Sequence, residues 1–138
     1  MSDTSKCDTF NFIWSQWVLS LAQQIPDLHD AFDDIDIKLH ALSAQRGIQE
    51  PMRLFVTYVG EHLPLLCSRD EKLFQELYIS SGGQCLPADF IEHYRKMTPE
   101  ARGYIWGTLD TLTTLAGSMN AEFGTILRET QEKLALSA

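Results

Sequence analysis

Apolar residues recur in steps of three and four along the last third of the chain, between Thr98 and Leu136. The row consists of Ile105, Leu109, Leu112, Ala116, Met119, Phe123 and Ile126. This spacing is typical of one face of an α-helix. Thr98 is a favourable N-cap, and Pro99 suits the first turn of a helix. The pattern therefore predicts one long C-terminal helix, around which the other helices pack.

The first half of the chain predicts three further helices. The first covers about 8–25 and is apolar over more than half of its circumference, so we expect other elements to cover it on several sides. The second covers about 27–46 and is followed by a glycine that ends it. The third begins near Pro51, and glycine and proline predict a break or kink over 60–68.

Two shorter helices and a loop follow. A helix is predicted over 70–79, the stretch 80–84 is the strongest loop signal in the chain, and Pro87 opens another short helix. No alternation of apolar and polar residues lasts long enough to predict a strand. The sequence thus predicts an all-α fold, a single-domain bundle of about five or six helices with a long C-terminal helix. We expect residues 1–8 to form a flexible arm and 9–138 to form the helical domain.

The composition is that of an ordinary globular domain with an acidic charge. Of the 138 residues, 44% are hydrophobic and 22% are charged, so the chain can form a core. The formal net charge is −8, and lysine and arginine are scattered. This charge argues against direct binding of nucleic acid and against an anionic membrane surface. It favours a protein partner, which could be basic, or a homo-oligomer.

Three cysteines, Cys7, Cys67 and Cys85, stand far apart in the sequence. An odd number without a CxxC pair is not typical of a disulfide framework or a zinc site. The first residues lack the pattern of a signal peptide, and no apolar run is long enough to span a membrane. We therefore expect an intracellular protein.

Pairs of aspartate and histidine raise the question of a metal or ligand site. His29 and Asp33 are four residues apart, as are Asp89 and His93, so each pair can share a helix face. A metal needs three or four convergent ligands, and neither pair has a third at helical spacing. We predict no metal and no cofactor. One open alternative is a small-molecule or metal site formed by Cys85, Asp89 and His93.

Five aspartates lie within 27–36. A calcium-binding EF-hand loop also needs a central glycine and a closing glutamate, and both are missing. The aspartates fall mostly off the apolar stripe of their helix, so we interpret them as its solvated face. A docking surface for a basic partner is the alternative.

Motifs of nucleophilic catalysis are absent. The sequence contains neither Gly-x-Ser-x-Gly nor a P-loop, and the Ser-Gly-Gly step at 81–83 has no lysine after it. Nothing basic lies beside Cys85, and Cys67 has only Arg69 near it, so we expect both thiols to be buried. We therefore predict that the protein is not an enzyme.

Four apolar residues are candidates for an interface: Phe12, Leu19, Trp106 and Met119. Phe12 and Leu19 lie off the main apolar face of the first helix. Trp106 falls within a GxxxG spacing at 103–107, which indicates close packing inside the bundle or between subunits. Met119 belongs to the C-terminal row, which could be internal or shared between two copies of the chain.

Two segments resemble a known group of proteins. Leu-Pro-Ala-Asp-Phe at 86–90 and the stretch 97–109, which contains Ile-Trp-Gly-Thr-Leu, are similar to small helical proteins of unassigned function from large DNA viruses of algae and protists. The resemblance extends over about 10–120. Tyr94 stands where that group has tryptophan, and residues 107 and 108 are smaller than expected. The resemblance implies a viral origin and no particular chemistry.

Three functional hypotheses remain from the sequence. The first is a non-enzymatic helical protein of interaction or structure, such as a component of a virus particle or replication compartment. The second is a small ligand- or metal-binding bundle, or an enzyme, with its site near Asp89 and His93. The third is an apoptosis-regulating bundle that takes a partner helix in a groove, although the Asn-Trp-Gly-Arg signature of that family is missing.

Overall fold

The computed structural model describes the backbone of residues 3–137 and the side chains of residues 4–136. Within this range every regular element is a helix, which confirms the all-α prediction. The described chain forms eight α-helices, more than the five or six expected: α1 Asp3–Gln24, α2 His29–Arg46, α3 Glu50–Val59, α4 Leu63–Cys67, α5 Lys72–Ser81, α6 Phe90–Arg95, α7 Pro99–Met119 and α8 Ala121–Ser137.

Helix α1 begins earlier than the sequence predicted. It starts at Asp3, so the predicted arm over 1–8 is helical from residue 3 onward, and residues 1 and 2 lie outside the described range. The reason is that the buried face continues toward the N-terminus. Cys7 and Phe10 are buried, and the Cys7 Sγ lies 3.6 Å from the Met119 Sδ. Tertiary contacts thus hold the first two turns of the helix.

Helix α1, and not the C-terminal stretch, occupies the centre of the fold. It packs against α2, α3 and α7, which explains why it is apolar over most of its circumference. The prediction that it would be covered on several sides is confirmed. Its buried residues are Cys7, Phe10, Trp14, Trp17, Val18, Leu21 and Ala22.

Local signals in the sequence mark the boundaries of the helices in the first half as predicted. Gly47 follows α2 with a φ of +121°, a conformation that suits glycine. Pro51 lies in the first turn of α3. The predicted break over 60–68 consists of one 3₁₀ turn, Gly60–His62, and the short α4.

The predicted long C-terminal helix is divided into α7 and α8 at Asn120. Asn120 is extended, with φ −127° and ψ 104°. Its Oδ1 accepts a hydrogen bond from the Phe123 backbone N–H at 3.0 Å, so it caps α8. The apolar row also changes here, because Leu127 is buried and Ile126 is largely exposed. The prediction of a single continuous C-terminal helix was therefore wrong.

Aromatic side chains connect α5, α6 and α7. Phe74 on α5 contacts Phe90, Tyr94 and Trp106, with ring centroids 4.8–5.1 Å apart. The Trp106 Nε1–H donates a hydrogen bond of 2.8 Å to the Tyr94 Oη. This cluster fixes α6 against α7, and it forms one end of the core.

Candidate functional site

Cys85, the first member of the predicted ligand site, lies in the core. Burial raises the pKa of its thiol to about 12, although a hydrogen bond with Ser81 acts in the opposite direction. At neutral pH the thiol is therefore protonated, whereas a nucleophile or metal ligand needs the thiolate. Burial, and secondly the Asp110 carboxylate, also raise the pKa of Cys67.

Asp89 and His93 do not join Cys85 in a common site. Asp89 is exposed in a left-handed conformation with φ +67°, just before α6. His93 lines an open cavity of about 390 Å³ beside Pro26, Asp27 and Lys96. Among the described residues, no hydrogen bond connects Cys85, Asp89 and His93, and no group of three acidic, histidine or cysteine side chains could hold a metal ion.

The four predicted interface residues separate into surface and core. Phe12 is 64% exposed, and Leu19 is partly exposed on the same helix. Met119 is partly buried against the core. Trp106 is only 4% exposed and hydrogen-bonded to Tyr94, so it does not lie on the surface where a partner could reach it. The close packing predicted from the GxxxG spacing is not found, because no other element approaches Gly103 or Gly107 within 4 Å of an added Cβ.

A polar cluster that the sequence reading missed lies between α1 and α2. The Ser15 hydroxyl donates a hydrogen bond of 2.6 Å to the Asp36 Oδ1. The His40 Nε2 lies 3.3 Å from the Ser15 Oγ and 3.4 Å from the Asp36 Oδ1. The Asp36 side chain is 12% exposed, whereas His40 is 67% exposed. A serine, a histidine and an aspartate thus meet at one place.

These three residues do not have the arrangement of a catalytic triad. In a triad the serine hydroxyl donates to one histidine nitrogen while the aspartate binds the other. Here Ser15 donates to the carboxylate, and the same nitrogen of His40 approaches both partners. Because the Ser15 hydroxyl donates to Asp36, it does not donate to His40 in this arrangement. The geometry is therefore not that of a serine activated by a histidine.

Asn11 extends the polar cluster along α1. Its Nδ2 donates a hydrogen bond of 3.0 Å to the Ile48 carbonyl oxygen, and its Oδ1 is buried with no hydrogen-bond partner in the described part of the chain. A cavity of about 40 Å³ lies here, and Asn11, Ser15 and Asp36 line it. Trp14, Leu39 and Pro51 form its apolar walls.

The cluster joins two solvent-facing rows into one surface, which we call the α1–α2 outer face. On α1 the row is Phe12, Ser15 and Leu19, and on α2 it is Asp33, Ile37 and His40. Each row follows helical spacing, and the contact between Ser15 and His40 connects the two. Phe12 and Ile37 are 64% and 59% exposed. Large apolar side chains thus stand on both helices of the pair.

One signal for this surface was present in the sequence. Asp36 and His40 are four residues apart, the same spacing as the two pairs that were considered. The prediction that the aspartates of 27–36 form the solvated face of the helix is wrong for Asp36, because Asp36 is buried and accepts a hydrogen bond from Ser15 on α1. The contribution of Ser15 was not visible, since it depends on the packing of two helices whose contact residues are 21 positions apart.

The chain was compared with protein-family models, curated proteins and solved structures, and none of the three comparisons found a match. Among the described residues, no helix combines the length and the apolar character that crossing a bilayer requires.

Proposed function

We propose that this protein is a non-enzymatic helical interaction protein, which binds a basic protein partner on its α1–α2 outer face. The observation that carries the proposal is the exposure of Phe12 and Ile37 on two helices that pack against each other. Apolar side chains surrounded by polar groups are typical of protein interfaces, where burial of the apolar area stabilises the complex.

The charge of α2 supports a basic partner. The helix carries Asp30, Asp33, Asp34 and Asp36 but only Lys38 and Arg46 as basic residues. Lys38 is already paired with Asp34 at 2.8 Å. The acidic excess next to the outer face would accelerate association with a basic protein and would disfavour acidic partners. The whole chain, at −8, has the same sign.

The polar chemistry of the site supports binding over catalysis. Ser15 is bonded to Asp36 and not to His40, and burial keeps the Cys85 thiol protonated at neutral pH. An intracellular setting, supported by three cysteines that form no disulfide, is part of the proposal. We further propose that the protein is a helical bundle that belongs to a virus particle or replication compartment. This part of the proposal rests on the resemblance of 86–90 and 97–109 to small helical proteins of large DNA viruses.

Site-specific photocrosslinking in cells that make the protein tests this proposal. A photoreactive phenylalanine analogue is placed at Phe12 or at Ile37, and at Ile79 on α5 as a control of similar exposure. We expect positions 12 and 37 to give the same heavier adduct and position 79 to lack it. Mass spectrometry should identify a basic protein in the adduct. Phe12→Asp should raise the dissociation constant of the purified complex between the two proteins by roughly tenfold or more.

Four results would contradict the proposal. One is the absence of an adduct at positions 12 and 37. Another is an identical set of adducts at all three positions, which would indicate unspecific collisions. The third is an adduct with twice the mass of the chain, which would show that the outer face binds a second copy of the chain and not a basic partner. A Phe12→Asp variant with unchanged affinity would likewise remove Phe12 from the interface.

A further inference from the structure

We propose that a groove between α3 and α8 is a second docking site of this protein, and that it binds an amphipathic helix of a partner protein with lysine or arginine at its edges. We call it the α3–α8 groove. It includes the 3₁₀ turn that follows α3, and its walls carry Val56, Gly60, Glu61, Glu122, Phe123 and Ile126. None of these residues belongs to the α1–α2 outer face, so this docking site goes beyond the proposed function and does not depend on it.

Apolar residues from both helices line the α3–α8 groove. Phe123 is only 3% exposed, whereas Ile126, three residues later on α8, is 43% exposed. Val56 on α3 is partly buried against the core. Gly60 has no side chain, and a Cβ there would lie 3.6 Å from the Phe123 ring, so a larger residue would occupy the groove. A partner that covers Ile126 removes apolar area from water, which stabilises the complex.

The charged residues that line the groove are both acidic. The Glu61 side chain is 58% exposed, and its carboxylate lies 4.0 Å from the His62 Nε2. Glu122 is exposed and forms no ion pair with any described residue. The arginines nearest in sequence do not neutralise the groove, because Arg53 is already in an ion pair and Arg128 lines a different cavity. Negative charges beside an apolar surface favour a partner that carries positive charges.

The shape and charge of the groove favour a basic helix over other occupants. Its volume of about 280 Å³ far exceeds the ~10–15 Å³ that one water molecule requires, so it admits large apolar side chains. Backbone groups within α3 and α8 are bonded along their own helices, so an extended peptide finds no strand edge to pair with. A helical segment bonds its own backbone and presents apolar side chains on one face. A second copy of this chain would bring a net charge of −8 to acidic walls, which disfavours it.

Methyl NMR of the full chain, with labelled isoleucine, tests the groove. The probe is a synthetic peptide of about 15 residues made of leucine and lysine, with leucine at positions i, i+3, i+4 and i+7 of one helix face. We expect it to shift the Ile126 methyl signals saturably, with a dissociation constant below about 100 μM. A matched peptide with glutamate in place of lysine should not saturate them. Ile79, which is 61% exposed on α5, is the control whose signals should not move.

Two variants and a matched control assign the binding to this groove. Glu61→Gln combined with Glu122→Gln removes the acidic walls and should raise the dissociation constant of the lysine peptide by roughly fivefold or more. Glu76→Gln combined with Glu92→Gln makes the same charge change at exposed positions of α5 and α6 and should bind as the wild type does. Gly60→Leu fills the groove without changing the charge, and its φ of −58° is one that leucine adopts freely. It should abolish the saturable shift of the Ile126 signals.

Several results would overturn the docking site. The lysine peptide could leave the Ile126 signals unchanged, or both peptides could saturate them equally, which would remove the role of charge. Equal weakening by the double variant and its control would show attraction to the net charge alone. Ile126 signals that shift with protein concentration in the absence of peptide would assign the groove to a second copy. If Gly60→Leu fails to fold, the two double variants still decide. Crosslinking at Phe12 and Ile37 tests a different surface, so either proposal can fail while the other holds.

Discussion

Gly117 and Gly124 meet backbone to backbone where α8 folds against α7. A Cβ placed on Gly124 would lie 2.6 Å from the Gly117 carbonyl oxygen, and a Cβ on Gly117 would lie 3.3 Å from the Gly124 Cα. Real Cβ atoms do not approach a backbone oxygen so closely. This close contact between α7 and α8 therefore requires glycine at position 124.

We expect Gly124→Ala to destabilise the protein by about 1–3 kcal/mol, because overpacking forces the backbones apart. The better helix propensity of alanine offsets at most about 1 kcal/mol of this cost. Urea unfolding at equilibrium measures the difference. The expected sign is unusual, since alanine normally stabilises a helix interior.

Gly107→Ala is the matched control on α7. Apart from the backbone of α7 itself, no atom lies within 4 Å of a Cβ at Gly107, so the substitution meets open space. We expect it to leave the protein as stable as the wild type or to stabilise it by up to about 1 kcal/mol. If both variants shift the unfolding midpoint in the same direction, the packing of Gly117 on Gly124 does not determine the stability.

The bond between Trp106 and Tyr94 gives a second prediction. Tyr94→Phe removes the oxygen that accepts the Trp106 Nε1–H and leaves that donor buried without a partner. We expect a loss of about 1–3 kcal/mol in the free energy of unfolding, the usual cost of an unsatisfied buried group. The aromatic contacts with Phe74 are retained, so the variant should fold.

Tyr104→Phe on α7 removes a hydroxyl at an exposed position and serves as the control. It should change the free energy of unfolding by less than about 0.5 kcal/mol. Equal stabilities of the Tyr94→Phe and Tyr104→Phe variants would show that solvent or another acceptor replaces the Tyr94 oxygen.

The raised pKa of the buried Cys85 thiol predicts that the protein loses stability at alkaline pH. Its pKa is raised from an ordinary value of 9.0 to about 12 in the folded protein, mainly by burial. Between these values the unfolded chain has lost the thiol proton while the folded chain retains it. The unfolded state then binds fewer protons, so the free energy of unfolding falls as pH rises. The expected slope from this group reaches about 1.4 kcal/mol per pH unit.

The comparison of wild type with Cys85→Ala isolates this contribution, because other titrating groups act on both proteins. Below pH 9 we expect the wild type to be the more stable, since alanine leaves a small cavity in the core. This advantage should shrink as pH rises from 9 toward 12. A difference that stays constant over this range would mean that the buried thiol ionises as readily as one in the unfolded chain.

The helix boundaries that local chemistry determines could be predicted from the sequence. The Thr98 Oγ1 accepts a hydrogen bond from the Ala101 N–H, as its position before Pro99 indicated. Gly47 ends α2 in a conformation that glycine adopts without strain. Such signals involve residues within one turn of each other, so they act in any tertiary context.

The candidate site was predicted only in part. Phe12 and Leu19 were identified as surplus apolar surface because their spacing places them away from the main face of α1. Asp36 and Ser15 were not identified, because polar residues on two helices have no visible relation until the helices are packed. The opposite error concerns Cys85, Asp89 and His93, which are close in sequence but do not converge.

The sequence by itself determined the helical class of this protein and the apolar faces of its helices, because helical periodicity and capping are local properties of the chain. Tertiary structure alone decided that α1 is central, that the C-terminal helix is divided at Asn120, and that Asn11, Ser15 and Asp36 share a cavity. The physical reason is that these features depend on contacts between distant residues. In the sequence the apolar row runs past Asn120 to Ile126, whereas in the structure Asn120 caps a second helix and Leu127, not Ile126, is buried.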